Sequence, residues 1–386
     1  MAAQNIQIIG AGIAGLTAAL SFARNGHDVE IVDSAPELSE VGAGLQISPN
    51  ASRILTALGL GSALEAAMSR PAQITLASGR SLRTITAVPC GEFATRRWGA
   101  PYGVLHRADL QGLLLNAVTA EPRCTLRLGH RIETADIVKM QSQGPLIVGA
   151  DGVWSQTRRM VTGAIPPQFS GQVAWRFIVP ADVVSGVLDA KNVTAFLGAR
   201  THLVAYPLAH GKSINMVAIT KGKDPGQTWS EREIPADRTA LLAAFSGWHP
   251  ALMSILRAAP EMTWWPLFEM ADGHWCNGTD LVLIGDAAHA MTPFAAQGAA
   301  MAIEDGYELA QAVTCASSGI GPALASFENR RRIRIAKARS RAAFNQFAYH
   351  ARGPVRLGRD LVLALKSPES LASDLDWLYG YRATGL

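Results

Sequence analysis

Ile6-Gln7-Ile8-Ile9-Gly10-Ala11-Gly12-Ile13-Ala14-Gly15 runs a short apolar strand directly into a G-x-G-x-x-G turn. The flanking sequence completes a βαβ unit. Residues 5–9 read as a buried strand, 13–25 as a helix and 28–32 as a second strand ending at Asp33, 18 positions after the third glycine. Each glycine has its own task in such a unit. Gly10 permits the tight turn, Gly12 lets a pyrophosphate approach the backbone, and Gly15 lets the helix pack closely on the strand. The helix N-terminus presents unpaired N–H groups and the positive end of its dipole to the phosphates. Asp33 can accept from ribose hydroxyls.

A second signal lies in the last third of the chain. Leu281-Val282-Leu283-Ile284 is a buried strand that ends in Gly285-Asp286. A carboxylate there can accept from a ribityl hydroxyl, and Gln297-Gly298-Ala299-Ala300 starts a helix whose N–H groups suit a flavin's pyrimidine edge. Either signal alone says dinucleotide; the pair specifies FAD. His289 sits beside two alanines and reads as a packed structural histidine.

Composition narrows the rest. At 48% apolar and 17% charged residues, the chain is an ordinary globular protein with ample material for a large core. Much of the net charge of +4 comes from Arg330, Arg331, Arg332, Arg334, Lys337, Arg339 and Arg341. Helical spacing spreads these around a helix, which reads as a solvated face and not a nucleic-acid arm. Cys90, Cys124, Cys276 and Cys315 form no C-x-x-C, so neither a metal site nor a disulfide framework is expected. No run of eighteen apolar residues occurs, so no membrane span is expected, and the reading is cytoplasmic.

Along the chain, residues 50–68 read as helix broken at Gly59-Leu60-Gly61. Residues 73–86 read as strands joined at Ser78-Gly79, 107–120 as helix, and 146–149 as a strand closed by Ala150-Asp151-Gly152. From Val173 to Ile219 strand-like runs dominate, followed by helices at 236–246 and 250–259. After Asp286 the chain is mostly helical. The fold class is therefore α/β: a Rossmann-like FAD-binding domain, an inserted β-sheet-rich substrate domain and a C-terminal helical segment. The expected division is 1–72, 98–165 and 272–350 for the first, 73–97 and 166–271 for the second, and 351–386 for the tail.

Gly10–Gly15, Ala150-Asp151-Gly152 and Gly285-Asp286 together resemble the three signatures of the group A flavoprotein aromatic hydroxylases. The likeness covers nearly the whole chain and is closest to the salicylate hydroxylase and 6-hydroxynicotinate 3-monooxygenase branch. Val41-Gly42-Ala43-Gly44-Leu45-Gln46-Ile47-Ser48-Pro49-Asn50, Leu105-His106-Arg107-Ala108-Asp109-Leu110, Val173-Ala174-Trp175-Arg176 and Asp376-Trp377-Leu378-Tyr379-Gly380 carry it. The resemblance implies that Asp33, Ser34, Gln46, Arg107 and Asp286 contact FAD. It places Gly298 and Ala299 in the isoalloxazine loop, Pro293 and Gln297 among the cofactor-binding residues, and Asp151 and Gly152 in a motif used for FAD and the nicotinamide cofactor. One departure is visible: only residues 132–148 separate Arg131 from Gly149, where relatives often carry a longer β-hairpin.

The family also implies non-covalent FAD, NADH or NADPH as electron donor without a second Rossmann unit, and hydroxylation by molecular oxygen through a flavin C4a-hydroperoxide. Its substrate would be a small phenol or hydroxylated heteroaromatic, its assembly a monomer or homodimer. In Thr201-His202-Leu203-Val204-Ala205-Tyr206-Pro207, strand alternation puts His202 and Tyr206 on one face, about 13 Å apart along the axis. That spacing matches the family's His/Tyr pair, which makes Tyr206 the expected proton acceptor for the substrate and His202 its assistant. Trp264-Trp265-Pro266-Leu267-Phe268 reads as core packing. Of Arg176 and Arg200, the sequence does not say which reaches a substrate carboxylate. The rivals are a flavin reductase or oxidase of the same fold, and a non-catalytic flavin- or nucleic-acid-binding protein.

Overall fold

The computed structural model describes residues 4–38, 44–224, 226, 231–232 and 235–386; Val41, Gly42 and Ala43 of the quoted stretch lie outside them. Five strands form a parallel sheet in the spatial order Leu281–Leu283, Leu146–Gly149, Asn5–Ile9, Asp28–Val32 and Cys124–Arg127. Along the chain that is the 3-2-1-4-5 order of a doubly wound fold, whose direction reverses between the first strand and Leu146–Gly149. Near-continuous apolar runs such as Leu146-Ile147-Val148 are wholly buried, as strands covered on both faces must be. The helices Ile13–Arg24 and Gly298–Thr314 pack against each other within the same core. Residues 134–141 form a helix with a reciprocal Glu133/Asp136 cap, so the short stretch before Gly149 holds no hairpin.

A second sheet has eight strands in the order Glu231–Arg232, Thr263–Glu269, Gln168–Pro180, Ser213–Lys221, Thr201–Leu208, Val193–Gly198, Gln73–Ser78 and Thr84–Pro89. Only Gln73–Ser78 and Val193–Gly198 pair in parallel; the other neighbours are antiparallel. One face buries Phe177, Leu203 and Ala205 with Leu241 and Leu252 of the helices Pro235–Ala244 and Pro250–Ala258. The alternation then turns His202, Val204 and Tyr206 the other way. A two-stranded ribbon, Gly44–Ile47 with Gly103–His106, completes the strands.

The 30-residue helix Ile320–Tyr349 carries the basic cluster, but not all of it as a solvated face. Arg331 is 1% and Arg334 9% exposed. Both point inward because buried carboxylates wait there. Beyond it come the helices Gly353–Leu365, Pro368–Ser373 and Asp376–Tyr379. Among the described residues no helix is long and apolar enough to cross a membrane, and no cluster of three or more His, Cys, Asp or Glu side chains is placed to hold a metal.

Candidate active site

Where the strand order reverses, the C-terminal ends of the parallel strands open onto a cavity of about 1020 Å³. A crevice at this switch point is where open α/β sheets bind ligands. Gly10, at φ +107°, closes the turn so tightly that a Cβ would lie 2.3 Å from the Ala150 carbonyl oxygen. Gly15 sits beneath, packed on the Gly10 carbonyl, while nothing stands within 4 Å of a Cβ built at Gly12. The helix that follows has no side-chain N-cap, so its first N–H groups remain for a ligand. Asp33 shapes the rim by accepting the Ala11 N–H (2.6 Å) and the Ala35 N–H (2.8 Å). Ser34, Gln46 and Arg107 line the same wall, and Tyr102 Oη donates to Gln46 Oε1 at 2.6 Å.

The Asp151-Gly152 turn is braced from within. Asp151 accepts from Ser155 Oγ (2.5 Å), the Gln156 and Thr157 N–H groups, and Thr157 Oγ1. Its side chain therefore builds the loop, with backbone and Gly152 left at the cavity. Sequence reasoning overlooked Arg158. Its buried guanidinium donates to the carbonyls of Val153 (2.8 Å), Ala287 (2.9 Å) and Asp286 (3.2 Å), tying two cavity loops together. The signal was present as the spacing Asp151-Gly152-x-x-Ser155-x-x-Arg158.

Asp286, Pro293, Gly298 and Ala299 line the opposite edge. Gln297 does not: it is 2% exposed and bonds Ser48 behind the wall. There it joins a buried network. Asn50 donates to Glu304 (2.7 Å), Arg331 to Glu304 (2.6 Å) and Asp305 (2.7 Å), and Arg334 to Glu304 (2.8 Å). Asp305 also takes the Gly285 N–H (2.9 Å) and lies 2.5 Å from His289 Nε2. Burial opposes charge on both carboxylates. Arg331 and Arg334 nevertheless hold Glu304 below the ordinary carboxylate range, and His289 and Arg331 do the same for Asp305. His289 is thus buried against an acid partner and not simply packed among alanines.

The facing wall belongs to the eight-stranded sheet. His202, Val204 and Tyr206 project into the cavity beside Arg176, Trp265 and Phe268, so the tryptophan-rich strand lines the cavity as well as the core. Arg176 stacks over Trp265 at 5.2 Å, whereas Arg200 lines a separate groove. The Tyr206 ring rests on the ribbon: a Cβ at Gly44 would lie 2.5 Å from its Cε2. Gly44 N–H donates to Asn215 Oδ1 (2.9 Å), fixing the two halves at this point. Burial pushes the Tyr206 phenol well up, with Arg176 and Asn215 pulling the other way. Burial, then His350, push the His202 imidazole well down. No hydrogen bond joins His202 to Tyr206 among the described residues; His202 Nδ1 meets His350 Nε2 at 2.9 Å instead.

The charge of the wall is lopsided. Arg107, Arg131, Arg158, Arg159 and Arg176 face Asp33, Asp151 and Asp286, which favours an anionic occupant. With an open turn for a pyrophosphate and acceptors for hydroxyls, these residues fit FAD, and the volume leaves room for a ring beside it.

Comparison with known proteins agrees with that chemistry. The family model described as FAD binding domain matches residues 3–342. The chain is 34% identical to 3-amino-4-hydroxybenzoate 2-monooxygenase of Streptomyces platensis, over 98% of this chain and 96% of the relative. It is 33% identical to 6-hydroxynicotinate 3-monooxygenase of Bordetella bronchiseptica, over 78% and 80%. A salicylate hydroxylase substrate complex shares the fold at a TM-score of 0.78 and 22% identity, covering 98% of this chain and 96% of that one.

Proposed function

The chain belongs to the FAD-binding-domain family and is an FAD-dependent aromatic monooxygenase; from that premise we propose that it hydroxylates a small aromatic acid carrying a ring hydroxyl, with NADH or NADPH as donor. The observation that carries the proposal is one cavity with two walls. Gly10, Asp33, Asp286 and Gly298 face it from the parallel-sheet side; His202, Tyr206 and Arg176 face it from the other. Both relatives named above act, by their names, on a hydroxylated aromatic carboxylate. Arg176 is the cation suited to that carboxylate, by charge-assisted hydrogen bonds.

Bound non-covalently, FAD would supply electron transfer and oxygen activation, which no side chain here provides. Gly10, Gly12, Asp33, Ser34, Gln46, Arg107, Gly152, Asp286, Pro293, Gly298 and Ala299 would hold it, with Gly15, Asp151 and Gln297 shaping the turns behind. The chain's remaining work is positioning. Trp265, Phe268, Met291 and Pro293 keep water from the ring. Tyr206 and His202 handle the hydroxyl proton, removal of which makes the ring a better nucleophile. The raised phenol of Tyr206 favours a hydrogen-bonding, proton-passing role without standing charge.

Inward-facing Arg331 and Arg334 leave less of the cluster for a polyanion, supporting a reading without nucleic acid. Four free cysteines support a reducing, cytoplasmic setting. We also keep the division at 73–97 and 166–271 for the substrate half, and a monomer or homodimer.

A panel of salicylate, 6-hydroxynicotinate and 3-amino-4-hydroxybenzoate, scored for stimulated NADH oxidation and for ¹⁸O from oxygen gas in the product, tests the reading. Label in the product of at least one acid is expected. NADH oxidation that yields a reduced, unlabelled ring would replace it with a reductase. In Tyr206→Phe, hydroxylation should fall by ~10²–10⁴-fold while binding changes less.

A further inference from the structure

His202 lines the large cavity, but its hydrogen-bond partner does not. His350 caps the helix Ile320–Tyr349 and lines a second, open groove of about 530 Å³ with Gln172, Arg200, Lys221, Phe347 and Arg352. The two hollows share a wall, and two touching imidazoles cross it. Aromatic rings pack around the crossing: Phe294 lies 5.1 Å from His202 and 5.5 Å from His350, and Tyr349 lies 5.4 Å from His202. Neither His202 Nε2 nor His350 Nδ1 is hydrogen-bonded to any described residue. The bond between the rings needs one N–H and one lone pair, so it fixes complementary tautomers.

We propose that His202 and His350 form a proton relay through this wall, with His350 delivering the substrate's hydroxyl proton to solvent in the groove. The proposal rests on His202 standing at the substrate, as read above. As the substrate O–H bond breaks, with the Tyr206 hydroxyl holding its oxygen, the proton joins His202 Nε2, which in this relay replaces Tyr206 as the acceptor. The Nδ1 proton of His202 passes to His350 Nε2, and the Nδ1 proton of His350 leaves to water. One proton enters and one leaves, no electron moves, and both rings end neutral in the opposite tautomers. Proton uptake, which NAD(P)H-driven monooxygenation needs once per turnover, restores them by the reverse passage.

A relay requires carriers without resting charge. Burial keeps both imidazoles low, His350 at about 4.

The test follows ionisation of the bound acid, the one that the panel above identifies, by stopped-flow absorbance after a pH jump in the FAD-loaded enzyme. His350→Gln keeps a polar partner for His202 but cannot pass a proton, so ionisation should slow by about 10-fold or more while FAD content and acid binding hold. His350→Ala should be slow as well, and millimolar imidazole should speed it. Wild-type ionisation in His350→Gln, or no response of His350→Ala to imidazole, would overturn the relay. His202→Gln separates the two readings: slow ionisation there beside a normal His350→Gln ends only the relay, whereas normal ionisation in His202→Gln ends the placement of His202 at the hydroxyl.

Discussion

Behind the loop at 285–299, Glu304, Asp305, Arg331 and Arg334 bury their charges and satisfy one another. Across the cavity, His202, Tyr206 and Arg176 turn toward a hollow, with His350 behind His202. Both regions withdraw polar chemistry from water, at comparable depth. The difference is what each side faces. Where each carboxylate oxygen has its donor, the network fixes the shape of the 285–299 loop; where a wall of polar groups looks into a hollow, there is room for a ligand.

The sharpest way to break this comparison is Arg331→Ala. It strands Glu304 and Asp305 without their shared cation, and removing one partner of a buried ion pair costs ~3–5 kcal/mol. Urea denaturation should show that loss. A shift under ~1 kcal/mol would mean that the network is not the closed unit described.

Acid should separate the two regions next. Unfolded His350 takes up a proton near its ordinary value of 6.5, whereas the folded residue waits until about 4. Between those values the unfolded state binds more protons, so stability falls as pH drops, by up to about 1.4 kcal/mol per pH unit for this one group. His202 is displaced in the same direction. Glu304 and Asp305 have lowered values, so their contribution is complete above the ordinary carboxylate range and is lost only below it. Urea midpoints followed from about pH 8 to about pH 4 should decline more gently in His350→Gln than in wild type; equal slopes would deny the histidine its share.

Asp286→Ala should weaken FAD binding by roughly 10- to 150-fold, the loss of a hydrogen bond to a charged group worth ~1.5–3 kcal/mol. Retention of FAD at wild-type affinity in the folded variant would remove Asp286 from the site. The smallest effect belongs to the Glu92–Arg96 pair, at 3.4 Å with side chains 89% and 70% exposed. Glu92→Ala should change stability by no more than about 0.5 kcal/mol, and less in high salt, because water already solvates both ions. The same ion types as in the buried network would then differ about sixfold or more in consequence.

Much of the nucleotide half was legible because its signals are local. Gly10, Gly12 and Asp33 lie within one βαβ unit, and strand alternation alone placed His202 and Tyr206 on one face. What escaped was non-local. Arg331 and Arg334 sit in a basic run whose composition says surface, and only folding reveals Glu304 and Asp305 opposite them. Arg158 is ordinary until the carbonyls of Asp286 and Ala287 arrive, more than a hundred residues later. Trp265 and Phe268 carry the same apolar signature whether they fill a core or line a hollow. The ribbon at Gly44 and Gly103 was missed because two four-residue strands show too little alternation to be recognised.

The floor of the cavity is stitched from three distant places: the Ala150 N–H bonds the Ile9 carbonyl at 2.8 Å, and the Ile284 N–H bonds that of Gly149 at 2.9 Å. Some 140 residues separate the first two pieces and a similar length the last. Chain loops of that size must close before any of the floor exists, so the cofactor has nothing to bind in a half-folded chain. Flavin binding then acts as a latch on the whole assembly. It adds stability in proportion to the logarithm of free FAD over its dissociation constant, and the yellow colour of the protein reports only molecules whose distant segments have already come together.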